Sequence, residues 1–324
     1  MEHAKTGRPF ISIGELLVEC IPVEPKLRIC EEGAIIKTAS GSCGIVACAY
    51  ARLGGNAAFF GKVGRDGLSD FVYGALKREG VDVSHIVVSD EGQIGLSFVE
   101  YLENGRNFQY YRKNSVGSRL SPADIDETFI AGASAIHYAG MLLEVSPEMR
   151  AACQECVRIA RKHGVPVSFD PNIRKEVMGS DEARDRLLKA IRSADIIAPT
   201  LDEARFVTGL DDPHDILREL HAWGPRVIAL TCDANGAIVS DGKQIVTAGG
   251  IDVPAIDPTG AGDTFAAALV YCVLQGYDLE RTALFCNCAG SLAVTKQGSI
   301  GRALPSSAEV EALMLQNPCT LSLF

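Results

Sequence analysis

Apolar and polar positions along this chain alternate with two periods. Phe10 to Ile21 is a β-rich apolar run, and Ser42 to Leu53 carries the small and apolar residues of a buried helix, closed by Gly54-Gly55. This pattern predicts a strand, an excursion and a helix. From Ala135 the rhythm becomes regular, with a strand at Ala135 to Tyr138, a helix from Pro147 to His163, a strand from Pro166 to Asp170 and a helix from Asp181 to Ser193. A strand at Ile196 to Ala198, helices through Leu220 and a strand at Val227 to Thr231 continue it. Such alternation implies an α/β fold with a doubly wound, mostly parallel sheet. A hairpin turning at Asp241-Gly242 interrupts the series, after which a Gly-rich segment opens a helix to Gln275, and a last helix, Leu279 to Lys296, closes the fold.

Two segments, about 22–39 and 93–113, fall outside this rhythm and read as extended. In the second, Asn104-Gly105 separates two strand-like runs, a strong signal for a hairpin. Both are expected to form a small β-sheet lid on a single domain spanning 1–324. The chain has no internal repeat, low-complexity tract or obvious linker.

Composition narrows the function. A chain of 324 residues, 47% of them hydrophobic, can bury a large core. The formal net charge of -10 and the lack of a basic run argue against nucleic acid as a partner. Met1 to Pro9 has no leader-like pattern, and no stretch approaches the roughly 18 uninterrupted apolar residues that span a membrane, so the expected location is the cytoplasm. Eleven cysteines with apolar neighbours fit buried small hydrophobes in a reducing compartment. Cys153-x-x-Cys156 and Cys286-x-Cys288 lack a second pair at zinc-site spacing and the six histidines are scattered, so no protein-held metal centre is expected.

The chemistry concentrates in Asp257-Pro258-Thr259-Gly260-Ala261-Gly262-Asp263, between a strand-like run and a helix. Glycines there let backbone N–H groups approach an anion at a helix N-terminus, with a carboxylate at the rim. An ordinary Gly-rich turn with Asp263 as a first-turn helix acid fits the spacing too. A Walker A loop is absent, since Gly61-Lys62 is followed by valine, and G-x-G-x-x-G fails because position 265 is Phe.

The stretch DPTGAGDTFAAALVYCVLQG resembles the C-terminal signature of PfkB, or ribokinase-like, carbohydrate kinases, and ARLGGNAAFFGKVGRDGLSDFVYGALKREGVDVSHI resembles the N-terminal one. With GELLVECIP and CNCAGSLAVTKQGSIGRALPS, the resemblance covers nearly the whole chain. It implies an ATP- and Mg²⁺-dependent sugar kinase, in a family that often responds to a monovalent cation such as K⁺ and often dimerises through its lid. By the resemblance Asp263 is the base for the acceptor hydroxyl, and the amides of Gly260, Ala261 and Gly262 form the anion hole, a sound arrangement for phosphoryl transfer. Thr200 and Glu203 match an Asn-x-x-Glu motif that orders water around Mg²⁺, with Thr200 in the asparagine position. Thr231 to Gly236 matches the nucleotide-phosphate loop, with Asp233 where glycine is usual, and Asn287 falls in the helix bordering adenine.

The lid segment YYRKNSVGSRLSPADID resembles that of 2-keto-3-deoxygluconate kinases, in which Tyr110 and Arg112 would meet the acid sugar. Arg174, in FDPNIR, matches a second substrate arginine, and a pair of guanidinium forks suits a carboxylate. Gly41 and Glu15 match positions near the sugar, whereas Ile45 replaces a sugar-contacting asparagine. Each also has a structural reading: Tyr110 and Arg112 as lid-strand residues, Gly41 as a turn, Glu15 as a strand-end acid, Glu203 as a first-turn acid. The sequence therefore points to a kinase for 2-keto-3-deoxygluconate. A fructokinase or other ketose kinase is the alternative within the class, and a non-catalytic sugar-binding regulatory protein the alternative outside it.

Overall fold

A computed structural model describes residues 7–24, 27–102, 105–173, 180–317 and 321–323. In chain order it runs β1 (Phe10–Ile13), β2 (Leu17–Pro22), β3 (Ile35–Ser40), α1 (Ser42–Arg52), β4 (Ala57–Phe60), β5 (Lys62–Val63) and α2 (Gly67–Arg78). Next come β6 (Val87–Val88), β7 (Gly95–Leu102), β8 (Gly105–Tyr111), α3 (Glu127–Ala131), β9 (Ala135–Ala139), α4 (Leu142–Val145), α5 (Pro147–Lys162) and β10 (Val167–Asp170). The rest is α6 (Asp181–Ser193), β11 (Ile196–Ile197), α7 (Leu201–Thr208), α8 (Pro213–Trp223), β12 (Val227–Thr231), β13 (Gly236–Ser240), β14 (Ile245–Gly249), α9 (Ala261–Gln275), α10 (Leu279–Ala293), α11 (Ser307–Gln316) and β15 (Leu321–Leu323).

The main sheet has the order β15-β14-β13-β12-β11-β10-β9-β1-β4, parallel from β4 to β12 and antiparallel beyond. Its parallel strands are almost wholly apolar, as strands covered on both faces must be. Alongside, α1 packs on α9, two helices rich in small residues that bury most of their length. A second sheet, β3-β2-β7-β8, forms the lid. Its β7 and β8 pair antiparallel around the expected hairpin, whose Asn104 lies outside the described residues.

The run Phe10 to Ile21 is two strands rather than one. β1 belongs to the main sheet and β2 to the lid, paired with β3 and β7. The chain changes sheets at Gly14, where a Cβ would fall 2.8 Å from Cys43 Cβ. Both strands are buried, so no change in hydropathy marks the joint. The helix expected to reach Lys296 ends at Ala293, and it is not the last: α11 and β15 follow. A capping box between Ser306 and Glu309 starts α11, a readable signal for that helix. The cysteines at 153, 156, 286 and 288 are free, buried thiols that act as core side chains. Among the described residues no helix is long and apolar enough to cross a membrane.

His137 of β9 is fully buried; its Nδ1 meets Ser168 Oγ at 3.0 Å and its Nε2 has no partner among the described residues. Burial depresses its pKa from 6.5 to about 3. The unfolded chain therefore binds a proton that the folded one refuses between those values, and stability falls as pH drops below 6.5. At pH 5 this amounts to about 2 kcal/mol. Urea midpoints at pH 7 and pH 5 check it: the fall is expected in the wild type and to shrink in His137→Gln.

Candidate active site

The carboxyl ends of β1, β9, β10, β11 and β12 open onto one cleft of about 910 Å³, where open α/β sheets place their ligands. The lid strands β2, β7 and β8 cover one side of it with Glu19, Ser97, Arg106, Phe108 and Tyr110. Every described residue singled out from the sequence lines this cleft: Glu15, Gly41, Tyr110, Arg112, Thr200, Glu203, Thr231, Gly236, Gly260, Ala261, Gly262, Asp263 and Asn287. Arg174 lies outside the described residues.

At the centre, Gly260 adopts φ 80° and starts α9 in the left-handed region that glycine enters without cost. The first-turn amides of α9 lack partners within their own helix, and the helix dipole favours an anion before them. Asp263 is the third residue of that turn. Its Oδ1 accepts a hydrogen bond of 2.5 Å from Ser42 Oγ, which in turn accepts one of 3.2 Å from Asn172 Nδ2. Asn172, held at φ 38°, donates its backbone N–H to Asp170 Oδ1 at 3.0 Å. A chain of hydrogen bonds thus runs from Asp170 at the end of β10 through Asn172 and Ser42 of α1 to this carboxylate of α9. Asp257, 2% exposed, braces the cradle loop by accepting from Thr259 N, Thr259 Oγ1 and Gly298 N at 2.7 to 3.1 Å. Arg106 of the lid reaches across to it at 3.3 Å and to Thr259 Oγ1.

Toward the lid, Arg112 does not present an open fork. Its Nη1 pairs with Glu15 Oε2 at 3.3 Å, its guanidinium lies 4.6 Å from the Tyr110 ring centroid, and among the described residues its Nη2 meets only the weak acceptor Met141 Sδ, at 3.1 Å. Glu15 also accepts from Ser115 Oγ at 2.6 Å; burial nevertheless holds its pKa above the usual carboxylate range. Gly41 has a structural duty here, since at φ 112° a Cβ would fall 2.4 Å from Glu15 O. Ile45 lines the cleft beside Gly260. Glu19, not singled out from the sequence, is 3% exposed, and its Oε2 has no partner among the described residues. Burial pushes its pKa to about 7, with Asp257 and Asp263 adding to the shift and Arg106 opposing it.

The folded-state pKa of Glu19 lies above the unfolded value. The protonated carboxyl therefore favours folding below pH 4.5, and that contribution is lost as pH rises through about 7. Glu19→Gln is expected to stabilise the ligand-free protein at pH 8 by up to about 3 kcal/mol, read from urea midpoints. An unchanged midpoint would show that the carboxylate is solvated.

At the far end, Thr200 caps α7. Its Oγ1 accepts from Glu203 N, while Glu203 Oε2 accepts from Thr200 N at 2.8 Å and Oε1 from Ile173 N at 2.5 Å. Both oxygens of Glu203 already hold backbone amides, so it acts first as a capping-box acid tying the strand-end loop after β10 to α7. Asp233 sits at φ 49°, a conformation that glycine takes freely and aspartate tolerates, and Gly236 at φ 99° has no room for a Cβ beside Ala248 O. Asn287 Nδ2 donates to Gly249 O at 2.7 Å, steadying the loop that carries the cleft residues 250 to 255. Among the described residues no cluster of three His, Cys, Asp or Glu could hold a metal by itself. A Mg²⁺ that keeps its waters and is carried by nucleotide phosphates needs no such cluster.

Glu19 had one legible signal, a charge inside the apolar run LVECIP, since lone acids are seldom buried without a role. Ser42, Asn172, Asp170 and Arg106 offered none, because their importance arises from where the chain crosses itself.

A parallel sheet with a β lid, opening on one cleft that runs from an acidic pocket past an anion cradle to a loop-lined groove, defines a ribokinase-like phosphotransferase fold. The chain belongs to the pfkB family of carbohydrate kinases, whose family model matches residues 10–306, and it is a sugar kinase of that family. It is 32% identical to fructokinase-1 of Oryza sativa over 94% of this chain and 97% of the rice protein. A provisionally named ribokinase II from E. coli, solved with ATP and Mg²⁺, superposes with a TM-score of 0.89 at 29% identity, covering 96% of this chain and 100% of the other. 2-Dehydro-3-deoxygluconokinase of Thermotoga maritima superposes at 0.87 over 94% of this chain and 98% of its own, at 24% identity, a likeness of fold alone.

Proposed function

We propose that the protein transfers the γ-phosphoryl group of MgATP to a hydroxyl of a small neutral sugar of the ketohexose class, with Asp263 as the base. The observation that carries the reading is the placement of Asp263, steadied by Ser42, at the rim of the first-turn amides of α9, midway along the cleft. Asp263 takes the hydroxyl proton, the amides of Gly260, Ala261 and Gly262 face the transferring phosphoryl, and the groove around Thr231, Gly236 and Asn287 holds the nucleotide. The Mg²⁺ when bound neutralises phosphate charge. Closure of the lid excludes water as a competing acceptor.

Two features favour a neutral sugar. Arg112 is already paired with Glu15, and the carboxyl groups of Glu19, Asp170 and Asp263 line the same pocket, where they accept hydroxyl protons and repel a second carboxylate. The similarity to fructokinases supports this reading. One observation favours the acid sugar 2-keto-3-deoxygluconate instead: Arg112 lines the cleft, and among the described residues its Nη2 has only a thioether as acceptor, a site that a substrate oxygen would fill better. A panel of fructose, tagatose, ribose, adenosine and 2-keto-3-deoxygluconate with MgATP decides between them. kcat/KM highest on a ketohexose supports the first reading, and preference for the acid supports the second.

The lid also suggests a partner. Its edge strands carry exposed Ile35, Ile36, Tyr110 and Tyr111, and unpaired apolar edges favour association with a second copy. Light scattering should give twice the 34.5 kDa chain mass, and Ile36→Lys should shift it to one.

A further inference from the structure

A second cavity, of about 150 Å³, lies at the root of the lid, away from the cleft. It is bounded by β3 at Lys37 and Thr38, by α2 at Phe71, Ala75 and Arg78, and by the loop after α10 at Ile300. Phe71, Ala75 and Arg78 follow one another at i, i+4 and i+7, so a single face of α2 looks onto the lid strand. The charge of this cavity is the reverse of the cleft's. The described lining of the cleft holds seven carboxylates and two cations, in a chain of net charge -10. The small cavity has Lys37 on its lid side and Arg78 on its helix side. Lys37 Nζ lies 4.7 Å from the centroid of the Phe71 ring, and neither cation makes an ion pair or a side-chain hydrogen bond among the described residues. The carboxylate of the lining, Glu79, pairs with Arg52 Nε at 3.9 Å.

Two unpaired cations around one space favour an anion, and an arginine fork beside a lysine suits the oxygens of phosphate. With about half the smallest volume usual for a drug-sized ligand, the cavity admits a phosphate group and a few carbon atoms, and is too small for a nucleotide. Its position links it to the reaction. Ala39, in the lining, accepts a hydrogen bond from Ser299 Oγ at 3.2 Å, and the residue before that serine, Gly298, donates its N–H to Asp257 Oδ2 at 3.1 Å. An occupant therefore touches both the lid strand and the loop that helps to hold the cradle.

We infer that this cavity is a second binding site, for the phosphate group of inorganic phosphate or of a small phosphate ester, which bridges Lys37 and Arg78 and so ties the lid strand β3 to α2. The site stands on its own observations, whereas its effect on turnover rests on the kinase reading above. Both cations are exposed to solvent, which screens them, so the expected Kd is on the order of 1 mM.

The test titrates wild type, Lys37→Gln and Arg78→Gln by calorimetry with sodium phosphate and, separately, with glycerol 3-phosphate, at constant ionic strength. Mg²⁺ with the non-hydrolysable AMP-PNP and fructose are kept saturating, so that the cradle is filled. Neither side chain has an ion pair to lose, and both variants should fold as wild type does. We expect one phosphate group per chain in the wild type and a loss of affinity of at least about fivefold in each variant. Tighter binding of phosphate names the free ion as the occupant, and tighter binding of glycerol 3-phosphate names an ester. The better probe should also lower the sugar KM of the wild type by about fivefold and leave that of the variants unmoved. No saturable uptake of either probe overturns the inference, as does wild-type affinity in both variants. Saturable uptake that leaves the KM of the wild type unchanged overturns the tie between lid and helix. A wild type that phosphorylates no sugar overturns the kinase reading instead, and the titration still decides the site.

Discussion

Asp263→Asn is expected to lower kcat by about 10²–10⁴-fold, the range that removal of a general base produces. The substitution keeps size and polarity, and the asparagine can still meet Ser42 Oγ, which lies 2.5 Å from Oδ1 in the wild type. Asp263 is a first-turn helix acid as well, but loss of a favourable charge at a helix N-terminus costs only about 0.3–1 kcal/mol. A helix of 15 residues packed against α1 and α10 tolerates that. The thermal midpoint should therefore move by a few degrees at most, with sugar and nucleotide Kd nearly constant. A loss of binding in place of turnover, measured by titration calorimetry, would make Asp263 a positioning group.

The second large effect belongs to Gly260→Ala. A side chain at φ 80° costs about 1–2 kcal/mol, and the new Cβ would lie 3.2 Å from Ile45 Cγ2 with Ser299 Cβ at 3.6 Å behind it. Relief requires the start of α9 to rewind, which turns its first amides away from the cradle. Displacing one such donor is worth about 10²–10³-fold in kcat. Gly262→Ala makes the contrast, since its Cβ meets nothing within 4 Å and the residue is already helical. That variant should melt no lower than wild type, because alanine suits a helix better than glycine. Paired melting curves check the difference: equal midpoints for the two variants would mean that the left-handed turn at Gly260 is not needed.

Much of this could be read from the chain. The βα rhythm from Ala135 onward fixes the parallel sheet because each strand is short, apolar and followed by an amphipathic helix. The Gly260 turn is legible because few other residues enter its backbone region. The junction at Gly14 was hidden, since main-sheet and lid strands are equally buried there. Pairings such as Arg112 with Glu15 were hidden for another reason: the partners lie 97 positions apart, and only the folded lid brings them together. That pairing changes the argument about substrate, because an arginine read as free for a carboxylate already has one. Glu203 shows the same limit, a motif residue whose two oxygens hold the backbone amides of Thr200 and Ile173.

The departures from the family pattern have local reasons. Aspartate at 233 tolerates the left-handed turn that glycine would take, and Thr200 keeps the helix cap that asparagine would supply. Neither disturbs the cradle. Ile45 does alter the cleft, setting an apolar wall beside Gly260.

The most direct measurement is the fate of the label from γ-³²P ATP, followed by rapid quench with each sugar of the panel and with none. Label should appear on one class of sugar in the wild type, remain in ATP when sugar is absent, and move at least about a hundredfold more slowly in Asp263→Asn. Label that stays in ATP with every sugar, while calorimetry shows both ligands bound, would contradict the account.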